Sequence, residues 1–358
     1  VIGNEPNQPR FWQPQFDGRG RQVSAAAAGR MLAATYDALK RVDPALTVVG
    51  LGVSSRGNDR PRARSNVSTS PVRFIAALGR WYRAAKRTRP LMDAFSFHPY
   101  PNSSREPLHK GFQWPNAGVV NLDRVKLALW DAFAGTAQPT PADGLPIVLS
   151  EVGWQVDTSR FTAYTGEERV PVTSEGHQAK VYAEIVRRAA CDPGVAAVSF
   201  FAFYDERDRS GMQSGLYRVD GSPRAAAARV AAAVSRAGSA CRKRERRSWT
   251  PPQGVVGGKA FFTRWRAHCR GAQGAQRLCL TAAENARYRA AAFPAGTPRA
   301  VMERALRRGG DVRGAVPAYG RPSVTLPAPA SGPWVIAVRL TAALNPKRST
   351  LLVGPVVR

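Results

Sequence analysis

Five times between residue 1 and about residue 237, a short apolar run gives way to a stretch with helical periodicity. The apolar runs are 1–3, 47–53, 94–98, 147–150 and 196–203, and the helical patterns cover 25–42, 71–87, 122–133, 174–190 and 223–237. Within 25–42, for example, Met31, Leu32, Tyr36 and Leu39 recur at the spacing of one helix face. Pro71 after Ser70 reads as the first residue of the second helix. Strands that are apolar throughout, each followed by a helix, predict a parallel sheet with its faces covered. Five such units form either an open doubly wound sheet or the last five-eighths of a barrel. No Gly-rich phosphate loop follows the first run, which disfavours the nucleotide-binding form of the doubly wound sheet.

The pattern changes near residue 238. Residues 238–254, "GSACRKRERRSWTPPQG", are basic and aperiodic and are expected to be a linker. Residues 255–358 alternate in short stretches broken by Gly and Pro, and predict a small β-rich accessory domain with one helix near 298–308. A hairpin is expected in 334–357, turning at Asn345, Pro346, Lys347 and Arg348. The fold class is therefore α/β: a partial barrel over 1–237, then a β-rich C-terminal domain.

Charge is uneven. The chain carries 53 Lys and Arg against 25 Asp and Glu. Residues 241–358 hold 22 of the former and only 4 of the latter. Such a tail suits contact with an acidic glycan, a cell envelope or nucleic acid. No helix-turn-helix or zinc-finger pattern supports specific nucleic-acid readout. The cysteines, Cys191, Cys241, Cys269 and Cys279, include no C-x-x-C pair, which argues against zinc and for disulfides in an exported protein. Cys269 and Cys279 are close enough in sequence to staple a hairpin. No apolar stretch reaches the roughly 18 residues a membrane span needs. No cofactor and no metal are expected.

In parallel α/β folds, active residues gather at the carboxyl ends of strands. Here those ends read Asn4-Glu5-Pro6, then His98 and Tyr100, then Glu151 and Trp154, then Phe203, Tyr204, Asp205 and Glu206. Two carboxylates among aromatic rings suit glycosidic bond cleavage. One protonates the leaving oxygen, and the other attacks or stabilises the oxocarbenium-like centre. Flat rings with polar edges suit sugar faces.

Asn-Glu-Pro after one strand and Ser-Glu-x-Gly-Trp three strands later resemble the retaining (β/α)8 glycoside hydrolases that carry catalytic glutamates on strands four and seven. Cellulase-like family 5 and xylosidase-like family 39 are the nearest likenesses, and His98-x-Tyr100 matches their sixth strand. The resemblance implies Glu5 as general acid/base and Glu151 as nucleophile. It also implies Asn4 on the sugar 2-hydroxyl, Tyr100 orienting Glu151, His98 lining the subsite, and Trp154, Trp12, Phe203 and Tyr204 as sugar contacts. Two departures stand out. The family places a Trp at the end of strand eight, where this chain offers Phe203 and Tyr204, and no counterparts of strands one to three are present. The implied molecule is an N-terminally truncated barrel comprising strands four to eight. In a barrel the helices before Cys191 and Cys241 end on the same face, which makes these two one pairing to expect. The expected partner is a carbohydrate substrate, with acidic glycan or envelope contact through the basic C-terminal region. The expected location is extracellular or at the cell envelope. The competing reading is a non-catalytic glycan- or polyanion-binding envelope protein of the same fold.

Overall fold

A computed structural model describes residues 1–240, 249, 263–266, 276–282, 286–316, 323–327, 332–342 and 349–357. The chain divides into two compact units, Val1–Gly111 with Pro115–Pro251, and Phe112–Trp114 with Pro252–Arg358.

The first unit repeats strand and helix: β1 (Ile2–Asn4), α1 (Ser24–Val42), β2 (Val49–Ser54), α2 (Pro71–Ala84), β3 (Ala94–His98), α3 (Leu122–Phe133), β4 (Ile147–Val152), α4 (Glu175–Ala190), β5 (Val195–Phe200) and α5 (Ala225–Ala240). Its sheet runs β1-β2-β3-β4-β5, and every pairing is parallel. Each strand lies beside the next in sequence. The sheet is therefore wound in one direction, as in a partial (β/α)8 barrel, and does not reverse as a doubly wound sheet does.

The helices follow from their sequences. In α2, Phe74, Ile75, Leu78 and Tyr82 are buried at spacings of one, three and four residues, which gives one apolar stripe. Pro71 sits at its first position after Ser70, where the missing N–H costs no intrahelical bond. In α4, the Ser174 hydroxyl accepts the His177 backbone N–H, and Arg187 and Arg188 lie in the last turn, where they complement the helix dipole. One hydrophobic core joins these stripes to the strands. Leu32, Phe74, Phe95, Phe97, Phe133, Leu149 and Ile185 are fully buried in it, each contributing about 1.5–3 kcal/mol. β3 is buried at all five positions, whereas Ala196, Ala197 and Ser199 of the edge strand β5 are exposed.

β2 is irregular. Its register to β3 shifts between Gly50 and Val53, and the buried Leu51 takes a φ of 49°. The left-handed region is strained for a side chain of this size, and Gly52, the next residue, lies within this irregular stretch.

The second unit contains an antiparallel sheet of β6 (Thr263–Arg266), β7 (Gln276–Ala282) and β10 (Ser323–Leu326), ordered β10-β7-β6. A second antiparallel sheet contains β8 (Ala286–Pro294), β9 (Val312–Val316), β11 (Trp334–Ala342) and β12 (Ser349–Val357), ordered β12-β11-β8-β9. α6 (Arg299–Arg308) buries Met302 and Leu306 against Val335 and Ala337 of β11. The expected helix near 298–308 is thus α6. The arms of the expected hairpin pair as β11 and β12, and its turn lies outside the described residues.

Among the boundaries that differ from the sequence expectation, α2 ends at Ala84 and not at residue 87, and two others need a reason. β5 ends at Phe200, ahead of residue 203, because the chain turns there to pair with the segment near Tyr217. α5 continues to Ala240, three residues into the stretch expected to be a linker, carried past Gly238 and Ser239 by the Ala-rich helix before them. The remainder of that linker lies outside the described residues, apart from Trp249. Cys191 follows α4 and is disulfide-bonded. The expected pairing with Cys241, and the expected staple from Cys269 to Cys279, fall outside the described residues. Among the described residues, no helix is long and apolar enough to cross a membrane.

Candidate active site

Three strand ends converge. Asn4 pairs with Gly52 across β1 and β2, and the backbone N–H of Glu5 donates to the Gly52 carbonyl at 2.7 Å. Glu5 has a φ of 38°, a left-handed conformation uncommon for a residue with a side chain. Strain of this kind tends to gather at working sites, where the surrounding structure holds it in place. Here it is held by Asn7, two residues on and fully buried. Asn7 donates to the carbonyls of Ser54 and Thr69 and accepts the Ser54 N–H at 2.8 Å. Gln15 then donates to the carbonyls of Pro6 and Trp12 and accepts from Ser24 and Thr69, which fixes the loop that carries Trp12. Neither Asn7 nor Gln15 was singled out in the sequence, where both look like ordinary loop polar residues.

His98, at the end of β3, joins the two carboxylates. Its side chain is 2% exposed, and Nδ1 lies 3.1 Å from Glu5 Oε1 and 3.6 Å from Glu151 Oε2. Two oxygens that both face one nitrogen are no further apart than those distances laid end to end. That ceiling lies at the bottom of the ~6.5–9.5 Å range of inverting carboxylate pairs and leaves room for the ~5–5.5 Å of retaining ones. The ring holds this place because position 52 has no side chain: a Cβ on Gly52 would lie 2.4 Å from His98 Nε2. The left-handed Leu51 and the bare Gly52 together form the seat of the imidazole.

Glu151 lies in β4 and is 28% exposed, twice the exposure of Glu5. Tyr100 donates its hydroxyl to Glu151 Oε2 at 3.0 Å. Burial, then the Glu151 charge and that hydrogen bond, then the Glu5 charge, push the Tyr100 hydroxyl far above the ordinary tyrosine range. Tyr100 therefore remains a donor at any physiological pH. Gly153 admits the Tyr100 ring, since a Cβ there would lie 2.8 Å from Cε1 and 3.0 Å from the Phe201 carbonyl.

The aromatic residues divide. Trp12 is half-buried in the loop after β1, and Asn4 is exposed at the end of its strand. Phe203 and Tyr204 are about half exposed and form a three-ring cluster with Tyr217, with centroids 4.8–5.7 Å apart. Trp154 departs from expectation. It is 2% exposed, edge-on to Tyr182, and its backbone N–H donates to the Tyr182 hydroxyl at 3.0 Å. Trp154 packs beneath the site and presents no face to a sugar. Phe201 was overlooked. It directly follows β5, its N–H donates to the Val152 carbonyl, and its own carbonyl adjoins Gly153. The sequence conceals it, because the strand ends three residues earlier than the apolar run suggests.

Asp205, expected among the strand-end residues of the active rim, instead has its side chain fully buried in an ion pair with Arg224 and accepts the Tyr164 hydroxyl at 2.5 Å. Arg218 adds a pair to Glu175 at 2.6 Å. Among the described residues, no group of three or more His, Cys, Asp or Glu is placed to hold a metal ion.

No family model matches the chain, and no curated protein matches it. Several solved glycoside hydrolase structures are similar to it. Xylanase 10B from Thermotoga petrophila shares 12% identity at a TM-score of 0.38, over 66% of this chain and 59% of that one. GH5_18 from Streptomyces cattleya shares 17% at 0.37, over 70% and 50%. A family 39 glycoside hydrolase from Bacteroides cellulosilyticus shares 15% at 0.39, over 90% and 55%. The chain spans less than two thirds of the length of each. With likenesses this distant, the functional reading rests on the site's own geometry.

Proposed function

We propose that the first unit is a retaining glycoside hydrolase acting on a β-linked glycan by double displacement. The observation that carries this reading is the shared imidazole: Glu5 and Glu151 both face His98 Nδ1, while Tyr100 donates to the same Glu151 oxygen that faces the ring. In the first step a Glu151 oxygen attacks the anomeric carbon and Glu5 gives its proton to the departing glycosidic oxygen. A glycosyl ester on Glu151 results. In the second step Glu5, now a carboxylate, takes a proton from water as the water attacks the same carbon, and Glu151 leaves as its carboxylate. Asn4 would bind the 2-hydroxyl. Trp12, Phe203 and Tyr204 would meet sugar faces. Extracellular action, with the basic C-terminal region held on acidic envelope material, belongs to the same proposal.

The test uses the full chain with a panel of 2,4-dinitrophenyl β-glycosides and their 2-deoxy-2-fluoro analogues. Mass spectrometry should find a glycosyl adduct on the peptide that contains Glu151. Glu151→Gln should lower kcat by at least ~10³-fold, since an amide is a poor nucleophile. Glu5→Gln should spare kcat/KM for dinitrophenyl substrates, whose leaving group needs no proton, lower their kcat because the glycosyl ester then lacks its base, and lose alkyl glycosides. If neither variant changes turnover and no adduct forms, the pair is not catalytic and the binding reading takes its place.

A further inference from the structure

The charge of the first unit is not spread evenly between the two ends of its sheet. The four loops leading into strands, at the end away from Glu5 and Glu151, carry Lys86, Arg87 and Arg89 against Asp43, Asp93, Asp143 and Asp192. Most of these are used internally. Arg87 and Arg89 pair with Asp37, Asp93 with Lys40, and Asp192 with Lys126. At the site end, the loop after β2 carries Arg56, Arg60, Arg62 and Arg64 against one carboxylate, Asp59. Asp59 is already engaged: it accepts the Ser70 N–H at 2.8 Å and pairs with Arg73 of α2. Arg60, Arg62 and Arg64 are exposed, and no carboxylate stands within ion-pair distance of them among the described residues.

The neighbouring loop adds to this charge. Gly20 of the loop after β1 abuts the Pro61 ring, with an added Cβ at 3.3 Å from Pro61 Cγ, which brings Arg19 beside Arg60 and Arg62, together with Arg21, whose own charge is paired with Asp17 at 2.6 Å. Gln8, three residues beyond Glu5, donates to the Arg56 carbonyl, and Arg56 in turn donates to Asn102 of the loop after β3. The arginines thus stand on loops tied to one another and to the chain that carries Glu5. A general basic bias in composition would load both ends of the sheet alike. It would also not leave the surplus unpaired at the end that holds the carboxylates.

Resting on the hydrolase reading, we infer that the substrate is an anionic glycan. Its carboxylate or sulfate groups lie along the arginine-bearing loops that follow β1 and β2. A guanidinium fork matches either oxyanion with two parallel hydrogen bonds. A line of such groups also attracts a polyanion before contact.

The test measures binding by the full chain bearing Glu151→Gln, so that no probe is consumed. The probes are a β-1,4-linked mannuronate hexasaccharide, its carboxyl-reduced neutral form, a sulfated version of that neutral form, and a six-nucleotide single-stranded DNA. The charged glycans should bind about tenfold more tightly than the neutral one at 50 mM salt. The combined variant Arg60→Gln, Arg62→Gln, Arg64→Gln should remove most of that preference and flatten its salt dependence. Arg62→Glu should weaken charged glycans further and leave the neutral form unchanged, with an unaltered thermal transition confirming the fold. A relative gain of the carboxylated over the sulfated probe identifies a uronate, and the opposite order a sulfated sugar. The inference is overturned if neutral and charged glycans bind alike or if the triple variant keeps the full preference. Tighter binding of the DNA than of both charged glycans, lost in the triple variant, also overturns it in favour of nucleic acid. Hydrolysis of neutral glycosides without charge preference would retain the hydrolase reading and remove this one. A charge preference without hydrolysis of any glycoside would remove the hydrolase reading and, with it, the anionic glycan as substrate, leaving a site that only binds it.

Discussion

The loop after β2 and the loop after β5 are both rich in arginine, yet the two sets do different work. After β5, Arg224 is buried against Asp205, and Arg218 forks onto Glu175. Arg209 donates to the carbonyls of Thr158 and Phe161 and to the Thr158 hydroxyl. Those guanidiniums are structural cross-links within the loops that follow β4 and β5. After β2, Arg60, Arg62 and Arg64 face water without acidic partners. The same residue type therefore serves as a brace on one flank of the site and as an offered charge on the other. Only the positions of the carboxylates tell the two apart.

The comparison breaks most visibly at the buried pair. Asp205→Ala leaves Arg224 buried without its partner and should cost about 3–5 kcal/mol of stability, read as a lowered urea midpoint. If the midpoint stays put, the brace is not a brace. Next comes Tyr100→Phe, which removes one hydrogen bond to a charged group. A loss of about 1.5–2 kcal/mol of transition-state stabilisation should appear as a fall of roughly tenfold or more in kcat with KM little changed. A change in KM alone would place Tyr100 in substrate binding.

The same tyrosine makes a pH prediction. Its hydroxyl is raised above the ordinary value in the folded state. The stabilisation it supplies is therefore fully present below about pH 10, the unfolded value, and is lost as pH rises toward the folded one. Between pH 9 and pH 11, Tyr100→Phe should gain about 1 kcal/mol relative to the unaltered chain in matched urea titrations. Smallest of all, Arg62→Gln should change stability by no more than about 0.5 kcal/mol. A larger loss would show that the exposed arginines are also structural.

The βα register, and with it the meeting of Glu5, His98, Tyr100 and Glu151, was legible because burial on both faces writes strands as unbroken apolar runs. Three features were not. Leu51 looks like any strand leucine, and only its neighbours' packing imposes the left-handed kink that seats His98. Trp154 and Asp205 stand at strand ends, where the motif rule expects exposure. Tyr182 of α4 and Arg224 beside α5 draw them inward, and those partners are distant in sequence. The early end of β5 was hidden by an apolar run that continues past the last ladder bond, so Phe203 was credited with a position nearer the one Phe201 holds.

The placement of His98 has one further consequence. With Nε2 packed over Gly52, the ring faces both glutamates through a single nitrogen. A change of charge on either carboxylate, by protonation or by formation of a glycosyl ester, must alter the field at that one atom. The nitrogen-15 resonance of His98 Nδ1 would then act as an internal gauge of the catalytic cycle. It would read the state of the acid and of the nucleophile in one spectrum, without a label on the sugar.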